Sequence, residues 1–383
     1  MPLYCVVFLV AVFAKQFYLG TSGSFQIGDL LFMVSFVLMM VTQKRERVYS
    51  ENHYLKVFIF AVFLINAIYS LIYSSFSFDI SSLYYLFNFF VILTFEQAMN
   101  NDKFLIYLER VLKLNLITQG IIYLLGKGTW YSDVRYQGTF NDPNQYGFFI
   151  FCCWLMIYIF MTMRGEAKLS IIWFFVSVFL IMPSASTGIA LGYLIFLAGV
   201  ILFPKKTDNG LKKILWLSLL ISVGVIFVLL VNNVIQLPES FQNSVIYERT
   251  FAKFQKAQEG VLLNGDERGW NKIFDNPWMM IYGAGDGLFS RFGGSGKEVH
   301  SSILAPLFYY GIIPCIFLFE WHRRKLIGIT RIFWCVYIAL IVESAFLINS
   351  RQPMYWMIFV LASHVQLKSN KYMDKIEADS YDV

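Results

Sequence analysis

The 383 residues are 57% hydrophobic and 19% aromatic, with charge on only 15% of positions and a mean hydropathy of +0.58. That balance excludes an ordinary soluble globular domain, in which about a quarter of residues are charged. The net charge is +6, but the lysines and arginines fall in short runs between apolar stretches, as cytoplasmic loop charges do, which argues against nucleic acid as a partner.

A bilayer core of roughly 30 Å takes about 20 apolar residues per helix. In chain order the candidate spans are Leu3–Leu19, Gly28–Thr42, Tyr54–Tyr73, Ile80–Ala98, Phe104–Leu125, Asn144–Met163, Leu169–Pro183, Thr187–Phe203, Leu211–Val231, His300–Glu320, Ile332–Ile348 and Pro353–Leu367. The expected fold is therefore an all-α polytopic membrane protein of about twelve transmembrane helices, helical because lipid cannot satisfy backbone groups. Residues 1–231 hold spans one to nine, 232–299 form a long polar loop, 300–367 hold the last three spans and 368–383 form a tail. The N-terminus lacks a basic leader region and reads as an uncleaved first span. Cys5, Cys152, Cys153, Cys315 and Cys335 all fall inside spans, without the spacing of a disulfide framework or a zinc site.

Orientation follows from the loops. With the N-terminus inside, every inner loop is basic, from Lys44, Arg45 and Arg47 to Arg323, Arg324 and Lys325, while the short outer loops hold only Lys127, Arg135 and Arg351. Both termini are then cytoplasmic and the 232–299 loop is outside, in the periplasm. Span five is the weakest, because Glu109, Arg110 and Lys113 lie inside it and would have to snorkel. Within the long loop, Phe241, Val245, Glu248, Phe251 and Phe254 recur at helical spacing, and Trp270, Ile273 and Phe274 predict a second short helix closed by Pro277.

Outside the membrane there is no ATP, so a bond-forming enzyme there must use an activated substrate delivered through the bilayer. A lipid-linked pyrophosphate sugar fits, and arginine holds its diphosphate with a planar, permanently charged fork. The outer candidates are Arg135, Arg249, Arg268, Arg291 and Arg351; as a solvated surface charge, each has an equally ordinary reading. Among the four histidines only His300 faces outwards, where it either caps a helix or accepts the proton of a sugar hydroxyl. Asp142 and Asn144 bracket Pro143 at the start of a span, which fits an N-cap as well as a binding element. The glycine-dense GAGDG turn at 283–287 lets backbone N–H groups approach an anion but lacks the strand–turn–helix setting of a dinucleotide site. Lys15, Asp29, Glu96 and Glu343 lie within spans and read as snorkelled or capping groups, with Glu343 the exception that leans towards Arg351.

Four segments in this order, RYQGTFNDPNQYG at 135–147, PSASTG at 183–188, ERGWNKIFDNPWMMIYGAGDG at 267–287 and EVHSSILAPLFYYGIIP at 298–314, resemble the O-antigen ligase and polymerase superfamily, in particular Wzy-type polymerases of bacterial surface polysaccharides. The resemblance implies a fold similar to the GT-C glycosyltransferases and catalysis without a divalent metal or other cofactor. It casts Arg135 and Arg268 as pyrophosphate-binding arginines, His300 as the catalytic base, and Asp142, Pro143 and Asn144 as the family's DPN element. PSASTG departs from the pattern, since many members carry an arginine after the serines. The expected activity is polymerisation in the inner membrane, for O-antigen or a related surface polysaccharide. The growing glycan passes from undecaprenyl pyrophosphate to the non-reducing end of a fresh lipid-linked repeat. The lipid-linked oligosaccharide is both donor and acceptor, membrane lipid surrounds the chain, and a chain-length regulator is a candidate protein partner. The alternatives are an O-antigen ligase acting on lipid A-core and a lipid-linked oligosaccharide flippase; the latter calls for an internal repeat and a cationic cavity, neither of which the sequence displays.

Overall fold

Where water cannot reach the backbone, an apolar chain closes its hydrogen bonds within itself as helix, and the residues described by the computed structural model (1–18, 26–42, 52–166, 169–202, 268–293, 296–361 and 363–364) are mostly helical. The first half runs α1 (Leu3–Ala14), α2 (Ile27–Thr42), α3 (His53–Tyr73), α4 (Ser77–Met99) and α5 (Asp102–Leu124). A hairpin of β1 (Thr129–Tyr131) and β2 (Arg135–Gly138) then leads into α6 (Pro143–Met163), α7 (Ser170–Ile181) and α8 (Thr187–Leu202). After residue 267 come two short helices, α9 (Asn271–Asp275) and α10 (Met279–Tyr282), then α11 (Leu304–Tyr310), α12 (Ile312–Leu326), α13 (Arg331–Ser344) and α14 at 353–361.

Three of these helices, α3, α4 and α6, are long and apolar enough to cross a membrane, and several shorter apolar helices accompany them. The burial pattern separates two roles. Helix α6 is apolar all round, and 94% of its most apolar window is buried, so it is the central post. Only 28% of the corresponding window of α3 is buried, and Phe60, Leu64, Ile68, Leu71 and Ile72 face outwards. Exposed apolar surface of that extent marks a membrane-associated chain.

Several charges inside this apolar bundle are paired. Lys15 Nζ sits 2.7 and 2.8 Å from the two carboxylate oxygens of Asp29, both residues being buried. Neither one snorkels, because α1 and α2 pack too closely: a Cβ on Gly28 would come 2.8 Å from the Lys15 backbone. Glu96 likewise binds Lys325 at 2.6 Å and the Asn52 amide at 2.6 Å. Helix α5 is continuous through Glu109, which is buried against Arg164 and pairs with Lys113 one turn along at 2.6 Å.

The mostly helical chain is compatible with the all-α expectation, to which the structure adds a short hairpin, an antiparallel pair whose tight turn puts Ser132 and Asp133 at φ 52° and 55°. One expected span needs correction. The helix expected from His300 to Glu320 starts only at Leu304, breaks at Gly311 and runs on to Leu326. The seventh span ends in a 3-10 turn at Met182–Ser184, where Pro183 prevents the helix from continuing. The ninth span, Arg249, the helix expected around 241–254 and the tail lie outside the described residues, as does the end of the twelfth span beyond residue 364.

Removing one partner of a buried ion pair strands the other charge, which costs about 3–5 kcal/mol, whereas replacing both with apolar residues can be neutral. Lys15→Met should therefore lower the unfolding temperature of the detergent-purified protein sharply, and Lys15→Met with Asp29→Leu should recover most of the loss. A double variant no better than the single one would show that the pair is not the source of the effect.

Candidate functional site

The hairpin and the start of α6 are joined by one amide. Asp142 caps α6, its Oδ1 accepting from the N–H groups of Asn144 at 2.7 Å and Gln145 at 3.1 Å, with Pro143 in the first turn. Asn144 then projects its Oδ1 to accept from Arg135 Nη2 at 2.8 Å and from the Ser186 hydroxyl at 2.9 Å, while Arg135 Nε donates to the Ser184 carbonyl at 2.8 Å. Two of the sequence segments, 135–147 and 183–188, thus form a single clasp. Arg135 is brought to it by β2, whose Tyr136 is buried edge-on against Tyr123 and Tyr146; burial pushes the Tyr136 phenol up to about 12.

A second clasp is built around His300. Its backbone N–H donates to the Arg268 carbonyl at 2.9 Å, and its own carbonyl accepts from Trp270 Nε1 at 3.4 Å. The close approach needs a glycine between them: Gly269 has φ +66°, and a Cβ there would collide with the Glu298 backbone. The Arg268 guanidinium lies over Trp270 and Phe346, 5.8 and 5.6 Å from the ring centroids, and donates Nη1 to the Phe346 carbonyl at 2.8 Å. Next in the chain, Ser302 fastens the 344–350 turn, its hydroxyl donating to the Leu347 carbonyl at 2.8 Å and accepting from the N–H groups of Asn349 and Ser350. Ser301 Oγ accepts from the Leu304 N–H at 3.0 Å and so starts α11.

His300 Nδ1 lies 2.9 Å from the Glu298 carbonyl. A carbonyl can only accept, so Nδ1 carries the proton, and a neutral ring keeps its lone pair on Nε2. Beside it, Arg351 Nη1 binds Glu298 at 2.8 Å and Nη2 approaches Asp286 at 3.5 Å. Burial opposes the charge on Arg351, but Asp286 and Glu298 outweigh it and hold the guanidinium above its ordinary pKa. Burial pushes the Asp286 carboxyl upward, only partly offset by Arg351, and nearby Glu298 adds to the rise.

These segments enclose a cavity of about 440 Å³. Its walls come from the C-terminal end of α1 and the N-terminal parts of α2, α4 and α6, closed by residues 298–300 and 347–352. Of the residues singled out in the sequence, His300, Arg351, Asp142 and Asn144 line it. Arg135 and Arg268 stand one contact behind, through Asn144 and through the His300 backbone. Glu343 is also behind the wall, buried and bonded to the amide of Asn349, which does line it. Arg291 is elsewhere: its guanidinium sits among Tyr69, Tyr73, Phe78 and Phe292, 4.5–5.1 Å from their centroids, and donates to the carbonyls of Ala284 and Gly285. The GAGDG turn is thereby held shut by a side chain, its Asp286 N–H spent on Asn66 at 2.9 Å, rather than opened to an anion. Sequence reasoning missed Glu298, Asp286, Lys15, Asp29, Tyr84 and Gln145 as site residues, although Glu298, Asp286 and Gln145 stand inside segments it singled out. Among the described residues no group of three or more histidine, cysteine, aspartate or glutamate side chains could hold a metal ion.

The sequence matches no protein-family model and no curated protein.

A carboxyl whose folded pKa is raised contributes stability below its unfolded pKa and loses it as pH climbs through the folded value. Asp286 should therefore make the fold less stable as pH rises above the ordinary carboxylate range. Asp286→Asn should flatten that limb of the stability–pH curve, followed by thermal unfolding between pH 4 and 8 on the purified protein. An unchanged slope would locate the titration in another group.

Proposed function

We propose that this chain is a membrane glycosyltransferase that joins lipid-linked pyrophosphate glycans at the outer face of the inner membrane, as a polysaccharide polymerase. The observation that carries the reading is the setting of His300, whose Nδ1 donates to the Glu298 carbonyl and which lines a cavity of about 440 Å³. A cavity of that size suits a small polar ligand, and a histidine with its lone pair on Nε2 suits general-base work near neutral pH.

In this reading the acceptor hydroxyl oxygen attacks the anomeric carbon of the donor glycan. The bond from that carbon to the diphosphate oxygen breaks, the lipid diphosphate leaves with the electron pair, and the hydroxyl proton passes to His300 Nε2. Arg268 and Arg135, one contact behind the cavity wall, hold the diphosphate charge as it grows. The bundle spans the membrane about twelve times with both termini cytoplasmic. The charge bias of the loops supports this orientation, since every helix end that lines the cavity is one it assigns to the outside. The ion pairs Glu96–Lys325 and Glu109–Arg164 occupy the opposite ends. The choice of polymerase over ligase rests on the resemblance of the four sequence segments.

His300→Ala should cut polymer formation by about 10²–10⁴-fold, the usual worth of a general base, and leave single repeats on the lipid carrier. Normal chain lengths in the variant would remove His300 from the chemistry, and full-length polymer stranded on the carrier in a deletion strain would point to the ligase. Orientation can be read separately, because the five native cysteines are buried. A membrane-impermeant maleimide should label Trp130→Cys in intact cells and spare Arg323→Cys; the opposite pattern would turn the molecule over.

A further inference from the structure

We propose that the cavity is the seat of the acceptor saccharide and that it takes a sugar which is uncharged or bears an amine, excluding uronic acids and the diphosphate itself. The inference rests on the transferase reading for the word acceptor, but its chemistry comes from the lining. Two cations, Lys15 and Arg351, face three carboxylates, Asp29, Asp142 and Glu298. Both cations are committed, Lys15 to both oxygens of Asp29 and Arg351 to Glu298 in front and Asp286 behind. A phosphate at either would lie against the carboxylate that already pairs with it, a like-charge contact in a poorly solvated site. Asp142 is balanced by the N–H groups it caps, which quenches the N-terminus of α6 as an anion site.

The rest of the lining is what a neutral ring with hydroxyl groups calls for. Tyr84 and Phe87 on α4 offer apolar faces, and Gln145, Asn349 and Gln352 offer amides. The surplus carboxylate also accommodates an ammonium group. Arg135 and Arg268, assigned to the diphosphate in the proposed function, do not line the cavity.

Saturation-transfer NMR on the full chain in detergent tests this with methyl glycosides of galactose, N-acetylglucosamine, galactosamine and glucuronic acid, with inorganic pyrophosphate as competitor. Neutral and amine-bearing glycosides should receive saturation, the uronate should bind at least ten-fold more weakly, and pyrophosphate should not displace the sugars. Filling the cavity through Gln352→Trp, or through Leu83→Trp on a separate wall if the first fails to fold, should abolish the signal. Uronate or pyrophosphate binding that matches the sugars and is lost in the filled variant would make this an anion site. The absence of any fill-sensitive glycoside signal would end the assignment. The two hypotheses fail separately: polymer formed by His300→Ala sinks the catalytic reading while leaving the saccharide seat intact, and anion binding in the cavity does the reverse.

Discussion

The arrangement of the site is organised around a single partly buried guanidinium. Arg351 keeps its proton, and the segments carrying Asp286 and Glu298 converge on it. Its backbone is drawn in as well, the carbonyl accepting from Asn88 on α4 at 3.2 Å, and its side chain lies 5.1 Å from the Tyr84 ring centroid. Three separate stretches, 283–287, 298–300 and 349–352, are thereby gathered beside one helix. The wall that presents His300 exists because that charge has to be neutralised.

Elsewhere the same requirement is met without charge. Gln16, Asn115 and Gln119 form a buried amide chain, with Gln16 Nε2 donating to Asn115 at 2.9 Å and Gln119 Nε2 to Gln16 at 3.0 Å, that ties α1 to α5; Gln119 continues to Thr139 beside the hairpin at 2.8 Å. Between apolar helices in lipid there is little hydrophobic drive to choose partners, so such polar contacts and close glycine packing supply the specificity. Asn144 and Ser302 do for the cavity wall what these amides do for the bundle.

Much of the helical frame was legible in the sequence, because an apolar run long enough to span lipid has little choice but helix. The helices around Tyr54–Tyr73, Asn144–Met163 and Thr187–Phe203 differ from their expected bounds by a residue or so. The DPN cap was legible too, since Asp before Pro at a helix start has a local cause. What could not be read were pairings between elements. Periodicity says which face of α1 carries Lys15 but not that Asp29 waits on α2. Nor does the GAGDG composition disclose that Arg291 closes that turn from within a cluster of aromatic rings. The hairpin escaped notice because its strands are only three and four residues long, too short for alternation to register. His300 and Arg351 were found as lone candidates; their joint dependence on Glu298 is a tertiary fact.

The partnership of Lys15 and Asp29 bears on how such a chain is made. An ammonium just past the end of α1 and a carboxylate in the first turn of α2, fourteen residues apart, would each resist partition into lipid alone. Bound to each other they present one neutral dipole. The first two helices therefore have reason to leave the translocon together, as a preformed hairpin, and the cavity would inherit its first wall before most of the protein has been synthesised.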